Sequence, residues 1–174
     1  FLRGIDKSGL KDGLFYDLRF DDQGQSRPDF FLNQPTYALT DVLIAGPNYG
    51  CGSSREHAVW GMQQYGFKAV IASSFAEIFY SNAMGNRLLL VVLPEDQVQA
   101  VMKEADDEFG PIKVEIDIEN GVVRTLKHQF TFLMSERHHR MFLEGLDVIG
   151  LTLKYQSQID HFSQLHWNAH PWLN

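Results

Sequence analysis

Gly46-Pro-Asn-Tyr-Gly-Cys-Gly-Ser-Ser-Arg-Glu-His57 follows the short apolar run Val42-Leu43-Ile44-Ala45 and precedes a helix-like pattern over 55–65. The apolar run reads as a buried strand, and Ala58, Trp60, Met62 and Tyr65 are spaced to pack one face of a helix. Gly46, Gly50 and Gly52 let the connecting backbone turn sharply and approach a ligand closely. A helix beginning near Ser53 or Ser54 would aim its free N–H groups and positive dipole end into this loop. With Arg55 able to grip a carboxylate or phosphate in two-pronged fashion, the stretch reads as an anion site. The commonest role for a serine there is an N-cap. A cap, however, needs one hydroxyl and neither the glycines nor the arginine.

Spacing separates the possible anions. A phosphate loop of the Walker type ends in Gly-Lys-Ser/Thr, and no such lysine is present. Gly50-Cys-Gly52-Ser-Ser-Arg55 lacks the third glycine of a dinucleotide fingerprint. Gly52-Ser-Ser-Arg-Glu56 lacks the closing glycine of a serine-hydrolase elbow. An arginine-assisted carboxylate site suits the residues better than any of these. A serine hydrolase using Ser53 and a non-catalytic anion-binding module remain as readings of other classes.

Asn48-Tyr-Gly-Cys-Gly-Ser-Ser-Arg-Glu-His-Ala58 resembles the swivel-domain signature of the aconitase superfamily. Its central cysteine is similar to that of the free-standing small subunits of 3-isopropylmalate dehydratase, the isomerase of leucine biosynthesis. Leu14-Phe-Tyr-Asp-Leu-Arg19, Pro28-Asp-Phe-Phe-Leu-Asn-Gln-Pro35, Ser74-Phe-Ala-Glu-Ile-Phe-Tyr-Ser-Asn82 and Gly145-Leu-Asp-Val-Ile-Gly-Leu-Thr152 resemble segments of the same subunits. The resemblance runs from residue 1 to about residue 155. It implies an α/β fold, a single swivelling β/β/α domain with mixed sheet over 1–174, in which 156–174 is a C-terminal extension.

The resemblance also implies roles. Ser53 matches the catalytic base that removes a proton from carbon, and Ser54 and Arg55, with Gly52, match the groups that bind substrate carboxylate. The implied reaction moves a hydroxyl between adjacent carbons of isopropylmalate by loss and return of water. The expected partners are a large subunit carrying a [4Fe-4S] cluster and a small dicarboxylate substrate. Leu2 and Arg3 fall in a loop that reads the group distinguishing isopropylmalate from homocitrate or citrate types. Arg3 could pair with an extra carboxylate, so the small subunit of homoaconitase or a related hydro-lyase is the alternative.

Departures are local. The family's Asp-Thr-Asp segment, just before the position of Phe1, is absent, so the expectation is a truncated or partly ordered version of the subunit. Val59 and Gly61 stand where proline and alanine are usual, and Ala83-Met-Gly-Asn-Arg87 replaces Cys-Phe-Lys-Asn-Gly.

One cysteine, Cys51, cannot build a cluster that needs about four thiolates, so no metal is expected on this chain. Cys51 itself reads as a small buried residue of a tight loop, and a lone cysteine fits a reducing cytoplasm. A net charge of −7 argues against nucleic acid as a partner, and makes anion capture depend on local positive potential. The longest clear apolar run, 88–93, is too short to cross a bilayer, so no membrane role is expected.

Beyond the loop, the pattern predicts a strand over 68–72, a helix over 75–82, a strand over 88–93 and a helix from 94 to about 108. Strands follow over 113–119 and 122–126, joined by the Asn120-Gly121 turn, then a strand over 129–134 and a helix over 136–143. The acidic run 104–108 reads as a solvated helix face. His138 and His139 are adjacent on a helix and point apart, which disfavours a shared metal. His161, His166 and His170, interleaved with Phe162, Trp167 and Trp172, read as a surface tail able to pack on a neighbour or on the large subunit.

Overall fold

Two short helices, α1 (Leu10–Gly13) and α2 (Tyr16–Arg19), and two 3-10 turns (Phe31–Asn33 and Pro35–Tyr37) lead into strand β1 (Val42–Ile44). Then come α3 (His57–Tyr65), β2 (Ala69–Ala72), α4 (Glu77–Gly85), β3 (Leu89–Val92) and α5 (Glu95–Asp107). β4 (Glu115–Asp117), β5 (Val122–Arg124) and β6 (Gln129–Thr131) precede α6 (Glu136–Glu144), α7 (Val148–Leu153), α8 (Gln156–Ala169) and a last 3-10 turn (Pro171–Leu173). This computed structural model describes residues 8–108 and 110–173, and the expected specificity residues Leu2 and Arg3 lie outside them.

Parallel and antiparallel pairing both occur, divided between two three-stranded sheets. β1, β2 and β3 are parallel, with Val42 opposite Ala69, Ile71 opposite Val91 and Ala72 opposite Val92. Such strands are covered on both faces and therefore need unbroken apolar runs. Ala69-Val-Ile-Ala72 is buried throughout, and so are Leu89, Leu90 and Val91. Alternate residues feed opposite faces, as the pleat demands. Val70, Ala72 and Leu90 join Val59 and Met62 of α3 and Phe79, Ala83 and Met84 of α4 in one cluster. Ala69, Ile71, Leu89 and Val91 join Val98 of α5 with Val123 of β5 and Phe132, just past β6, in another.

β4–β5–β6 is antiparallel, with Asp117 opposite Val122 and Val123 opposite Phe130. Its first turn spans 118–121 and includes the Asn120-Gly121 pair. The Asp117 carboxylate accepts from the Asn120 backbone N–H (3.0 Å) and side-chain amide (2.8 Å), and Gly121 supplies φ +63°. These amide hydrogen bonds, chiefly the one from the Asn120 side chain, hold the Asp117 carboxyl below its usual range.

Glu104 departs from the expected solvated face. Asp106, Asp107 and Glu108 are exposed, but Glu104 is only 2% exposed. Its carboxylate accepts from Thr125 Oγ1 (2.6 Å) and the Lys127 N–H (3.3 Å), closing the turn between β5 and β6 onto α5. A buried carboxylate persists only with such partners. Glu104→Ala should therefore cost about 1–3 kcal/mol, because it removes the acceptor of two partly buried hydrogen bonds. Urea unfolding should show this as a lower midpoint at an unchanged slope. A midpoint equal to the parent's would mean that the carboxylate does not hold this turn.

Helix ends follow their local chemistry. Ser135 caps α6 by accepting from the His138 N–H (3.3 Å), and Gly145 ends it at φ +66°. Asp147 caps α7 through the Gly150 N–H (2.7 Å). Arg87 adopts φ +61° just past Asn86, the C-cap of α4, where the resemblance leads one to expect glycine. Its guanidinium donates to the Gly145 carbonyl (2.8 Å), a bond that glycine could not make and that helps offset the strained backbone.

The expected tail is ordered as helix α8, with Phe162 66%, Leu165 56% and, past its end, Trp172 73% exposed. Its histidines stack along the helix, His166 against Phe162 (5.7 Å) and against His170 (4.6 Å). His138 packs on the Tyr80 ring (5.9 Å), and desolvation, aided by the Arg137 charge, lowers its pKa. Its Nδ1 is buried without a hydrogen-bond partner, while His139 Nε2 meets the Glu119 carbonyl (3.4 Å). The two rings serve separate surroundings.

Candidate active site

The glycine-rich loop leaves the C-terminal end of β1, where a parallel α/β sheet places its binding crevice. Ala45 N–H still donates to the Ile71 carbonyl (2.9 Å), after which the chain turns away. Residues 73–76 then pin it. Asn48 N–H donates to Ser74 Oγ (2.8 Å), Tyr49 N–H to the Ser74 carbonyl (3.0 Å), and Ala76 N–H to the Tyr49 carbonyl (2.9 Å). This parallel bridge between Tyr49 and Phe75 keeps Phe75 extended, so α4 starts at Glu77, two residues later than the pattern predicts.

The Tyr49 ring anchors the loop from below. It meets Phe79 edge-on at 5.4 Å and Phe75 at 6.4 Å, and its hydroxyl lies 3.5 Å from Met62 Sδ. Burial pushes the phenol well above its ordinary pKa, so Tyr49 stays neutral at working pH. It supports the loop without supplying charge.

The expected helix start is corrected. α3 begins at His57 with Glu56 before it, and neither Ser53 nor Ser54 is its cap. Ser53 Oγ turns back to accept from the Arg55 N–H (3.2 Å), a local serine turn that competes with helix and delays it. Ser53 is half-buried, whereas Ser54 and Arg55 are exposed. Cys51, expected inside, is exposed as well. The loop turns outward at this point, because the interior beneath it is filled by Tyr49 and Phe79.

A cleft of about 1260 Å³ opens over the loop. Gly50, Gly52, Ser53, Arg55 and His57 contribute to its lining, and Leu14, Phe15, Tyr16 and Leu18 add an apolar part from α1, α2 and their junction. The structure thus gathers Gly52, Ser53 and Arg55 in one cleft. Ser54 is not part of the lining, though its carbonyl accepts from Asn82 Nδ2 at 3.5 Å. The apolar part was missed by spacing arguments, which treated the Phe15–Arg19 motif only as a mark of resemblance. Asn86 was missed too; it joins Glu56 to Trp60 across α3 and α4.

Among the described residues no group of three or more His, Cys, Asp and Glu is placed to hold a metal ion. A single exposed thiol does not fit the ligand set of a [4Fe-4S] cluster. No helix among the described residues is long and apolar enough to cross a membrane.

Comparison with known proteins shows the family. The profile of the family described as "Aconitase C-terminal domain" matches residues 1–96. The small subunit 1 of 3-isopropylmalate dehydratase from Chromobacterium violaceum is 54% identical over 173 residues, covering 99% of this chain and 81% of that protein. The small subunit from Phenylobacterium zucineum is 45% identical, covering 99% of this chain and 85% of its own. The crystal structure of 3-isopropylmalate dehydratase from Methanocaldococcus jannaschii superposes with a TM-score of 0.53 at 31% identity, covering 72% of this chain and 70% of that one. The chain therefore belongs to the 3-isopropylmalate dehydratase small-subunit family and carries the swivel-type C-terminal domain of the aconitase superfamily.

Proposed function

We propose that this chain works as the small subunit of a 3-isopropylmalate dehydratase, converting 2-isopropylmalate to 3-isopropylmalate together with a large subunit. The observation that carries the reading is the half-buried Ser53 beside Arg55 in a cleft with an apolar part. A substrate with two carboxylates and a branched hydrocarbon group needs both chemistries within one cleft.

Ser53 takes the proton from carbon, and Arg55 grips one carboxylate with its planar fork, helped by the backbone at Gly52 and by Ser54. A serine hydroxyl is a poor base unless its alkoxide is stabilised. The positive dipole end of α3 and the guanidinium of Arg55 supply positive potential where that charge develops. Holding the carboxylate at Arg55 also fixes which C–H faces Ser53. Water is lost to give an alkene diacid, then returns with the hydroxyl on the neighbouring carbon. The [4Fe-4S] cluster belongs to the large subunit in this proposal, and the present chain holds and orients substrate and moves its proton.

The test mixes this chain anaerobically with a cluster-loaded large subunit and offers 2-isopropylmalate, homocitrate and a citrate-type acid. Turnover that needs both chains and prefers 2-isopropylmalate is expected, and the chain alone should be colourless and inactive. Preference for homocitrate would move the assignment to a homoaconitase. In the same assay Arg55→Lys should raise KM about tenfold, since a point charge cannot reproduce the two-pronged contact. An unchanged KM would remove Arg55 from carboxylate binding.

A further inference from the structure

Asn86, at the C-terminal end of α4, makes more polar contacts than a helix cap needs. Its Nδ2 donates to Glu56 Oε1 (2.8 Å) and to the Asn82 carbonyl (2.8 Å). Its Oδ1 accepts from Trp60 Nε1–H (2.9 Å), and its carbonyl accepts from Gln63 Nε2 (2.8 Å). Only the Asn82 contact lies within its own helix. The other three reach α3 and the residue just before it, at sequence separations of 23 to 30.

Glu56 directly follows Arg55, and α3 starts without a side-chain cap of its own. Its first turn is closed by backbone bonds from the Ala58 N–H to the Arg55 carbonyl (3.2 Å) and from the Trp60 N–H to the Glu56 carbonyl (3.0 Å). A donor and an acceptor on one amide, aimed at Glu56 and Trp60, tie that turn to α4. Each of these bonds is small against the whole fold. A small rotation of that turn, however, moves the arginine and serine that precede it. Asn82 adds a weaker tie through the Ser54 carbonyl (3.5 Å).

We infer that Asn86 is a positioning residue, which acts through Glu56 and Trp60 to hold Ser53 and Arg55 in register with the substrate. The inference rests on the proposed function for its kinetic consequence, though not for the geometry. Asn86→Asp retains the acceptor for Trp60 and turns a carboxylate toward Glu56 in place of the donor. In the two-subunit enzyme it should raise KM for 2-isopropylmalate about tenfold and lower kcat per assembled complex, as small misplacements do. Adding Glu56→Gln returns a donor–acceptor pair across the same gap and should bring KM back to within about threefold of the parent.

A purely structural asparagine would act differently, reducing the amount of assembled enzyme and leaving KM untouched. An unchanged KM in Asn86→Asp, or no recovery in the double variant, overturns the inference. Amide exchange in the chain itself separates this from failure of the functional reading. Amides from Arg55 to Ala58 should exchange about tenfold faster in Asn86→Asp, whatever the substrate proves to be. If the parent enzyme ignores 2-isopropylmalate, the functional reading falls, and exchange rates equal to the parent's would overturn the positioning role as well.

Discussion

Ser53→Ala in the complete two-subunit enzyme should lower kcat by about 10²–10⁴-fold, the range over which a positioned proton-transfer group contributes. KM should stay within about twofold, because removing a group that acts mainly in the transition state leaves ground-state binding intact. Folding and assembly should survive. Ser53 Oγ accepts from the Arg55 N–H at 3.2 Å, in an exposed setting where water can replace this bond. Its loss should cost well under about 1 kcal/mol. Steady-state kinetics beside size-exclusion chromatography of the complex would check both halves. A variant that keeps a tenth or more of parental kcat would take the base role away from Ser53. A raised KM at unchanged kcat would make it a binding hydroxyl instead. Ser54→Ala is the natural comparison, since Ser54 is exposed and outside the lining of the cleft; its effect should fall on KM.

The parallel core was readable because its signal is local. Ala69–Ala72 and Leu89–Val92 are unbroken apolar runs, and strands covered on both faces need nothing subtler. The turn at Asn120-Gly121 was readable for the same reason, as a short-range conformational demand met by a short-range residue choice. The glycine-rich loop was read as a site, and the start of its helix was misjudged, because the Ser53 hydroxyl prefers the Arg55 N–H to a capping role. Glu104 looked like one more solvated acid in an acidic run. Its burial depends on Thr125 and Lys127, more than twenty residues away, and no window along the chain contains that fact. Asn86 escaped for the same reason, since its partners sit on another helix. The C-terminal segment was read as a surface tail from its loosely spaced histidines and interleaved aromatic residues. α8 forms nonetheless, with its large side chains largely in solvent.

Gly50→Ala should destabilise the chain by about 2–5 kcal/mol, the sum of a left-handed backbone penalty and an overpacked interior. Gly50 sits at φ +88°, where any Cβ is strained. That Cβ would also lie 2.6 Å from Phe79 Cβ and nearer still to Cγ of the same ring. Phe79 cannot yield cheaply. It is 3% exposed and wedged between Tyr49 and Phe75, so relief requires the loop backbone to move. Because the conflict includes Phe79 Cβ, shortening that side chain to leucine should not restore stability. Gly52→Ala is the internal control. A Cβ there meets nothing within 4 Å and the backbone is not left-handed, so stability should change by no more than about 0.5 kcal/mol. Urea midpoints for the two variants should therefore differ widely although the positions are two residues apart. A Gly50→Ala variant within about 1 kcal/mol of the parent would show that the loop can lift off Phe79 at little cost. In that case the placement of Ser53 and Arg55 could not rest on the packing of Gly50, and the ties from Ser74 and Asn86 would have to hold the loop alone.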